Sequence, residues 1–169
     1  MATSLQQTSN ITAFFQALGE ENFDRVEELI EGMGDIDSPR DSCLPPLHWA
    51  AYQGKINVIT FLLKKGIYID SRDDEGRTAL HVAIAAIQEV AFDTLITEGA
   101  NVNVEITNSK NTPLHLAVLF ESENIVRKLF KSGAQMTKNS DRETPRDFAV
   151  DLKNQSLISL LDKLAPLSS

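Results

Sequence analysis

A six-residue phrase returns along the chain at nearly constant spacing. Pro45-Pro46-Leu47-His48-Trp49-Ala50 reappears as Thr78-Ala79-Leu80-His81-Val82-Ala83 and as Thr112-Pro113-Leu114-His115-Leu116-Ala117, with a degenerate copy at Thr144-Pro145-Arg146-Asp147-Phe148-Ala149. The steps are 33, 34 and 32 residues. A module of that size cannot bury enough apolar surface to stand alone, since chains below roughly 40 residues usually need a staple. Stacked copies share one core, so the period itself demands an elongated array.

Each period reads as two helices and a protruding finger. In residues 66–98, Gly66 suits the left-handed position after a helix end, Ile67-Tyr68-Ile69 is β-prone, and Ser71 to Gly76 is turn chemistry. Thr78 is placed to cap the next helix, and in the later copies proline follows threonine at the first helical position, where it costs no hydrogen bond. Pro45 takes the threonine's place in the first copy. The first helix is short and rich in alanine (Ala50-Ala51, Ala83-Ala85-Ala86, Ala117), which permits close stacking. Gly54 ends the first of these helices, and Ile87, standing in its place one copy on, predicts a longer helix there. The second helix carries an apolar stripe: Ile56, Ile59, Leu62 and Leu63, then Val90, Phe92, Leu95 and Ile96, then Ile125, Val126, Leu129 and Phe130.

The ends read as caps. Ile11–Leu18 and Asn22–Glu31 form a helix pair without the phrase, and Leu29-Ile30 lies 33 residues before Leu62-Leu63. At the other end Arg146-Asp147 replaces the Leu-His pair and Leu157–Leu164 supplies a closing helix. The expectation is five units at about 11–43, 44–76, 77–110, 111–142 and 143–164 in one domain, with residues 1–10 and the last few disordered.

The phrase, the period and the glycines at Gly66, Gly99 and Gly133 resemble the ankyrin repeat. The resemblance implies an all-α solenoid of five helix pairs joined by β-hairpin fingers, acting as a non-catalytic protein-binding module. It implies that His48, His81 and His115 tie each helix start to the neighbouring turn. It places the partner in a concave groove lined by the residues after the paired small residues: Tyr52 and Gln53, Ala85 and Ala86, Leu119 and Phe120, Asp151 and Leu152. With Ile87 these make an apolar strip, and strips of that kind often mark binding sites. The rim is formed by finger residues Asp37, Arg40, Asp41, Arg72, Asp73, Asp74, Glu75, Arg77, Glu105, Asn108, Lys110, Arg142 and Glu143. Asn103 takes the finger position that is hydroxylated in some members of the family. The build is similar to that of small regulators, which suggests a regulatory subunit or inhibitor, with a protein kinase as first choice of partner. IκB-like retention of a transcription factor and a pathogen's host-binding effector are the alternatives.

Composition narrows the remaining classes. A net charge of −8 with no basic stripe argues against nucleic acid. The longest apolar run, Val82–Ile87, is far short of the roughly 18 residues of a membrane span. The N-terminus lacks the basic start and apolar core of a signal peptide. The single cysteine, Cys43, cannot form an intrachain disulfide, and together these features favour cytoplasm or nucleus. Three histidines one repeat apart cannot share an ion, and no phosphate loop or nucleophile elbow is present, so no cofactor, metal or small-molecule substrate is expected.

Overall fold

The computed structural model describes residues 4–31 and 44–164. Arg40, Asp37, Asp41 and Cys43 therefore lie outside the described residues, as do residues 1–3 and 165–169. The described residues form ten helices in five antiparallel pairs: α1 (Ser4–Gly19) with α2 (Phe23–Glu31), α3 (Pro46–Gln53) with α4 (Ile56–Lys64), α5 (Ala79–Ala85) with α6 (Glu89–Thr97), α7 (Pro113–Leu119) with α8 (Glu123–Lys131), and α9 (Pro145–Asp151) with α10 (Gln155–Leu164). First helices pack on first helices, α3 on α5 on α7 on α9, and second helices lie behind them. This is an all-α repeat solenoid.

One backbone device recurs at the end of every first helix. A residue at φ near +55° to +67° turns the chain: Glu21, Gly54, Ile87, Glu121 and Lys153. The next N–H then reaches back five residues to a carbonyl, Asn22 to Ala17, Lys55 to Ala50, Gln88 to Ala83, Ser122 to Ala117 and Asn154 to Ala149. That is the geometry of a Schellman cap. The accepting residue is alanine each time, and all five alanines are buried where the units stack. Ala17 thus puts the first pair in register more sharply than Leu29-Ile30, which only partly pack on the core. Second helices α4, α6 and α8 end the same way at Gly66, Gly99 and Gly133.

Three features differ from the sequence expectation. Helix α1 begins at Ser4 rather than Ile11, so the stretch expected to be disordered is helical from residue 4. Each added helical residue gains a backbone bond for the dihedrals it fixes, and a packed helix extends past its last anchor. Helix α5 is not lengthened. Ile87 adopts the left-handed turn at φ +55° despite its branched Cβ, because the cap to Ala83 and the docking of α6 fix the path. Val90 is 66% exposed, and Ala91 takes the core position of α6. Val90 aligns with Asn57 and Asn124, which face water in their own helices, so helical spacing alone assigned it to the wrong face.

The fingers carry no strand among the described residues. Each is closed by a pair of backbone bonds at 2.9–3.1 Å: Asp73 N–H to Arg77 with Gly76 N–H to Asp73, Ile106 N–H to Asn111 with Lys110 N–H to Ile106, and Asn139 N–H to Glu143 with Arg142 N–H to Asn139. The middle finger spans one residue more, in keeping with its longer step. In each of these fingers the residue before the closing one is left-handed: Gly76 at φ +76°, Lys110 at φ +55° and Arg142 at φ +66°.

Candidate functional site

The helix starts show what the histidines do. The Thr78 N–H and hydroxyl both donate to His81 Nδ1, at 3.1 and 2.9 Å. Thr112 and His115 repeat this at the same distances. An Nδ1 that accepts leaves the proton on Nε2. His115 Nε2–H donates to the Glu143 carbonyl at 3.1 Å, and His48 Nε2 meets the Arg77 carbonyl at 2.8 Å. Each carbonyl lies just before the next unit, so the imidazole pins one unit to its successor. His81 differs: its Nε2 lies by the Asn111 and Val104 carbonyls without a well-formed hydrogen bond. Burial first, then the Arg72 charge, lowers its pKa to about 4, while Asp73 and those carbonyls oppose the shift. Burial likewise lowers that of His115.

In the last unit Asp147 takes over the histidine's part. Its carboxylate accepts the Thr144 N–H at 2.8 Å and the Thr144 hydroxyl at 2.7 Å. These bonds, that to the backbone first, hold its pKa below the usual value. Arg146 donates through two nitrogens to Asp162 at 2.6 and 3.1 Å. The pair covers positions that hold Leu47, Leu80 and Leu114 on first helices and Leu63, Ile96 and Phe130 on second helices of earlier units. A charged pair faces water where an interior unit presents hydrocarbon. The retained threonine with an acceptor three residues on was the legible signal for Asp147.

The finger residues divide into structural and exposed. Asp73 is a correction: it does not stand on the rim, its side chain being only 3% exposed. Its Oδ1 accepts the Glu75 and Arg77 N–H groups at 3.0 and 2.8 Å, and its Oδ2 binds the Arg77 guanidinium. Asn139 closes its finger identically, accepting from Asp141 and Glu143 at 3.0 and 2.9 Å. A short carboxylate or amide there satisfies backbone donors that turn geometry leaves free. Arg77 is half-buried, bridging Asp73 and Glu75. Arg72 ties two fingers together, donating to the Gly76 and Glu105 carbonyls at 2.7 and 2.6 Å. Asp74, Glu75 and Asn108 are exposed, and Glu105 lies 3.4 Å from Lys110. Asn103 stitches unit to unit: its amide donates to the Gly133 carbonyl at 3.1 Å and accepts the Gln135 N–H at 2.9 Å.

The first-helix positions are where an exposed apolar row appears. Tyr52 is 53% exposed, Leu119 44%, Phe120 39% and Leu152 38%, with Ile87 beside them at 58%. Gln53 is exposed, and Ala85 and Ala86 are half-buried between the larger groups. The row follows from the fold: these residues end the short first helix, past the buried Ala-Ala, Ala-Ile and Ala-Val pairs that stack. Among the described residues no group of three or more His, Cys, Asp and Glu side chains is arranged to hold a metal, and no helix is long and apolar enough to cross a membrane.

Comparison with known proteins matches this geometry. The family model for ankyrin repeats (3 copies) covers residues 2–73 and 47–140. The ankyrin repeat protein FPV031 of fowlpox virus is 33% identical over 148 residues, covering 82% of this chain and 43% of the viral protein. Human ankyrin repeat and SOCS box protein 16 is 34% identical over 110 residues, 64% of this chain and 24% of that protein. Human palmitoyltransferase ZDHHC13 is 29% identical over an alignment of 208 residues, 82% of this chain and 33% of the enzyme. The chain spans less than half the length of these relatives.

Proposed function

Because this chain belongs to the ankyrin-repeat family, whose fold is a non-enzymatic protein–protein interaction module, we propose that it works by occupying another protein through the row Tyr52, Gln53, Ala85, Ala86, Leu119, Phe120 and Leu152. The observation that carries the reading is the exposure of Tyr52 and Leu119 at one repeat position and of Phe120 at the next. Burying large apolar groups on binding releases energy that leaving them in water does not. The small Ala85 and Ala86 between Tyr52 and Leu119 leave room for a bulky apolar side chain of the partner. Arg72, Asp74, Glu75, Glu105 and Asn108 on the fingers orient that segment by polar contacts at the rim.

The role we place first is a regulatory subunit that inhibits or positions a protein kinase; its support is likeness of build to small regulators. The net charge of −8 supports IκB-like capture of a basic segment of a transcription factor. The viral relative is the observation favouring a host-binding effector. Affinity purification of the tagged chain with mass spectrometry, followed by titration of the captured partner, separates the three. A kinase catalytic subunit supports the first, a DNA-binding protein the second and a protein of another organism's cells the third. In the titration, Tyr52→Ala with Phe120→Ala weakens binding by about 2 kcal/mol or more if both are anchors. Unchanged affinity of the double variant rejects the row as the contact surface.

A further inference from the structure

The sequence contains two Asn-Ser dipeptides, Asn108-Ser109 and Asn139-Ser140, in consecutive fingers. We propose that Asn108 is a site of spontaneous deamidation and that Asn139, with the same local sequence, is protected by the fold. In this reaction the backbone nitrogen of the following residue, after losing its proton to solvent, attacks Cγ of the asparagine. The Cγ–Nδ2 bond breaks and ammonia leaves with a proton, forming a five-membered succinimide. Water then opens the ring at either carbonyl, giving aspartate or isoaspartate. The net change is amide plus water to carboxylate plus ammonium, with no redox partner. It requires a mobile amide side chain, an unencumbered backbone N–H on the next residue, and a small next side chain.

Asn108 meets all three. It is exposed, no hydrogen bond among the described residues holds its amide, and none holds the Ser109 N–H. Serine leaves the approach open, whereas the branched Val102 and Val104 crowd it after Asn101 and Asn103. Asn139 fails the first two. Its Oδ1 accepts two backbone N–H groups at 3.0 and 2.9 Å, and its Nδ2 donates to Asn111 Oδ1 at 3.0 Å. The Ser140 N–H is committed to the Ser109 carbonyl at 2.9 Å. The difference traces to Ile106, which stands where the other fingers carry Asp73 and Asn139. Ile106 offers no side-chain acceptor to the finger. Among the described residues, the bonds that hold the loop run through the Ile106 carbonyl and through the carbonyl and hydroxyl of Ser109, and leave the Asn108 amide and the Ser109 N–H free. The product matters for the surface: aspartate adds a negative charge beside Glu105 and Lys110. Isoaspartate adds a methylene to the main chain inside the Ile106–Asn111 closure. The modification would thus make this finger progressively more acidic and alter its shape, whatever the partner.

The test uses the full chain, incubated folded at neutral pH and in parallel in concentrated urea, with peptide mapping by mass spectrometry over time. In the folded sample Asn108 converts about tenfold or more faster than Asn139, because Asn139 reacts only from locally opened states. In urea the two convert at similar rates, with isoaspartate among the products at both. Persistence of the Asn108 amide in the folded protein while it converts in urea overturns the proposal. So does equal conversion at Asn139 in the folded protein, or failure of either site to convert in urea.

Discussion

Acidification to about pH 5 should destabilise this array through His81, and by an amount its burial sets. The unfolded imidazole titrates near 6.5, whereas in the fold its pKa is about 4. Between those values the unfolded chain binds a proton that the native chain refuses, so stability rises with pH across the window. The contribution is fully present above 6.5 and is lost as pH falls through 6.5 towards 4. At 1.36 kcal/mol per pKa unit, the whole shift is worth roughly 3 kcal/mol, of which about 2 kcal/mol has gone by about pH 5. The physical reason is local. A second proton on this ring can only go to Nδ1, the atom that already accepts the Thr78 N–H and hydroxyl. Protonation therefore breaks the helix-start tie and leaves a cation buried near Arg72. Urea unfolding, followed by helical circular dichroism at about pH 7.5 and about pH 5, measures the loss. His81→Gln supplies the reference. It is less stable at both values, but its loss between them should be smaller than the wild type's by about 2 kcal/mol. Every other group is common to the two proteins, so its contribution cancels in the comparison. Asp147, whose pKa is lowered, yields its share only on further acidification, below the ordinary carboxylate range. Equal losses in the two proteins, or a wild type that gains stability on acidification, would refute the argument.

Replacing Ile87 by glycine should raise stability by about 1 kcal/mol in the same urea assay, since relief of a branched residue at φ +55° outweighs the added chain entropy. Two glycines should separate cleanly by thermal melting. A Cβ on Gly76 would sit 2.1 Å from Thr107 Oγ1 and 2.8 Å from its backbone nitrogen, so Gly76→Ala costs about 3 kcal/mol or more. A Cβ on Gly66 meets nothing within 4 Å, and Gly66→Ala costs only about 1 kcal/mol for the backbone strain at φ +89°. Asp73→Ala should cost about 2 kcal/mol by stranding two finger amides, while Asp73→Asn, copying Asn139, loses less than about 1 kcal/mol; equal losses would show that the Arg77 charge pair dominates. Ala117→Leu, at a fully buried stacking position, should destabilise by about 1–3 kcal/mol, and a neutral result would mean the units can slide apart.

The sequence made the period, the helix pairs, the threonine starts and the closing glycines legible because each depends on residue types within a few positions. Val90 was misassigned because three or four residues of apolar spacing do not distinguish a core stripe from its neighbour. Only alignment to Asn57 and Asn124 does. Ile87 was misread for a different reason. Propensity favours continuing the helix, but five caps onto five alanines impose the same turn on every unit, and the collective geometry overrides one residue's preference. Asp73 looked like rim charge because aspartate in a turn is equally consistent with solvation and with closing that turn on itself. Its equivalence to Asn139, where a charge is absent and the bonds remain, is the evidence that separates the two. Exposure of Tyr52, Leu119 and Phe120 could be placed by repeat alignment, since the end of a short first helix has nothing stacked upon it.

Much of the departure from the common solution falls in the third unit and its finger. Ile87 strains the turn, Val90 faces water, His81 lacks a good bond from Nε2, and Ile106 cannot supply the side-chain acceptor that Asp73 and Asn139 give their fingers. A terminal unit could not carry these together, because it has one interface to offset them. The third unit has two. Toward the second, Asp70 Oδ1 takes the Asn101 N–H and Arg72 takes the Glu105 carbonyl. Toward the fourth, Asn103 clasps Gly133 and Gln135, and Lys128 reaches Asp93 at 2.7 Å and Glu89 at 3.4 Å. Stability in such an array is a sum of unit and interface terms. The middle of the stack is therefore where a weaker module is tolerated, and where side chains are freest to be chosen for something other than folding.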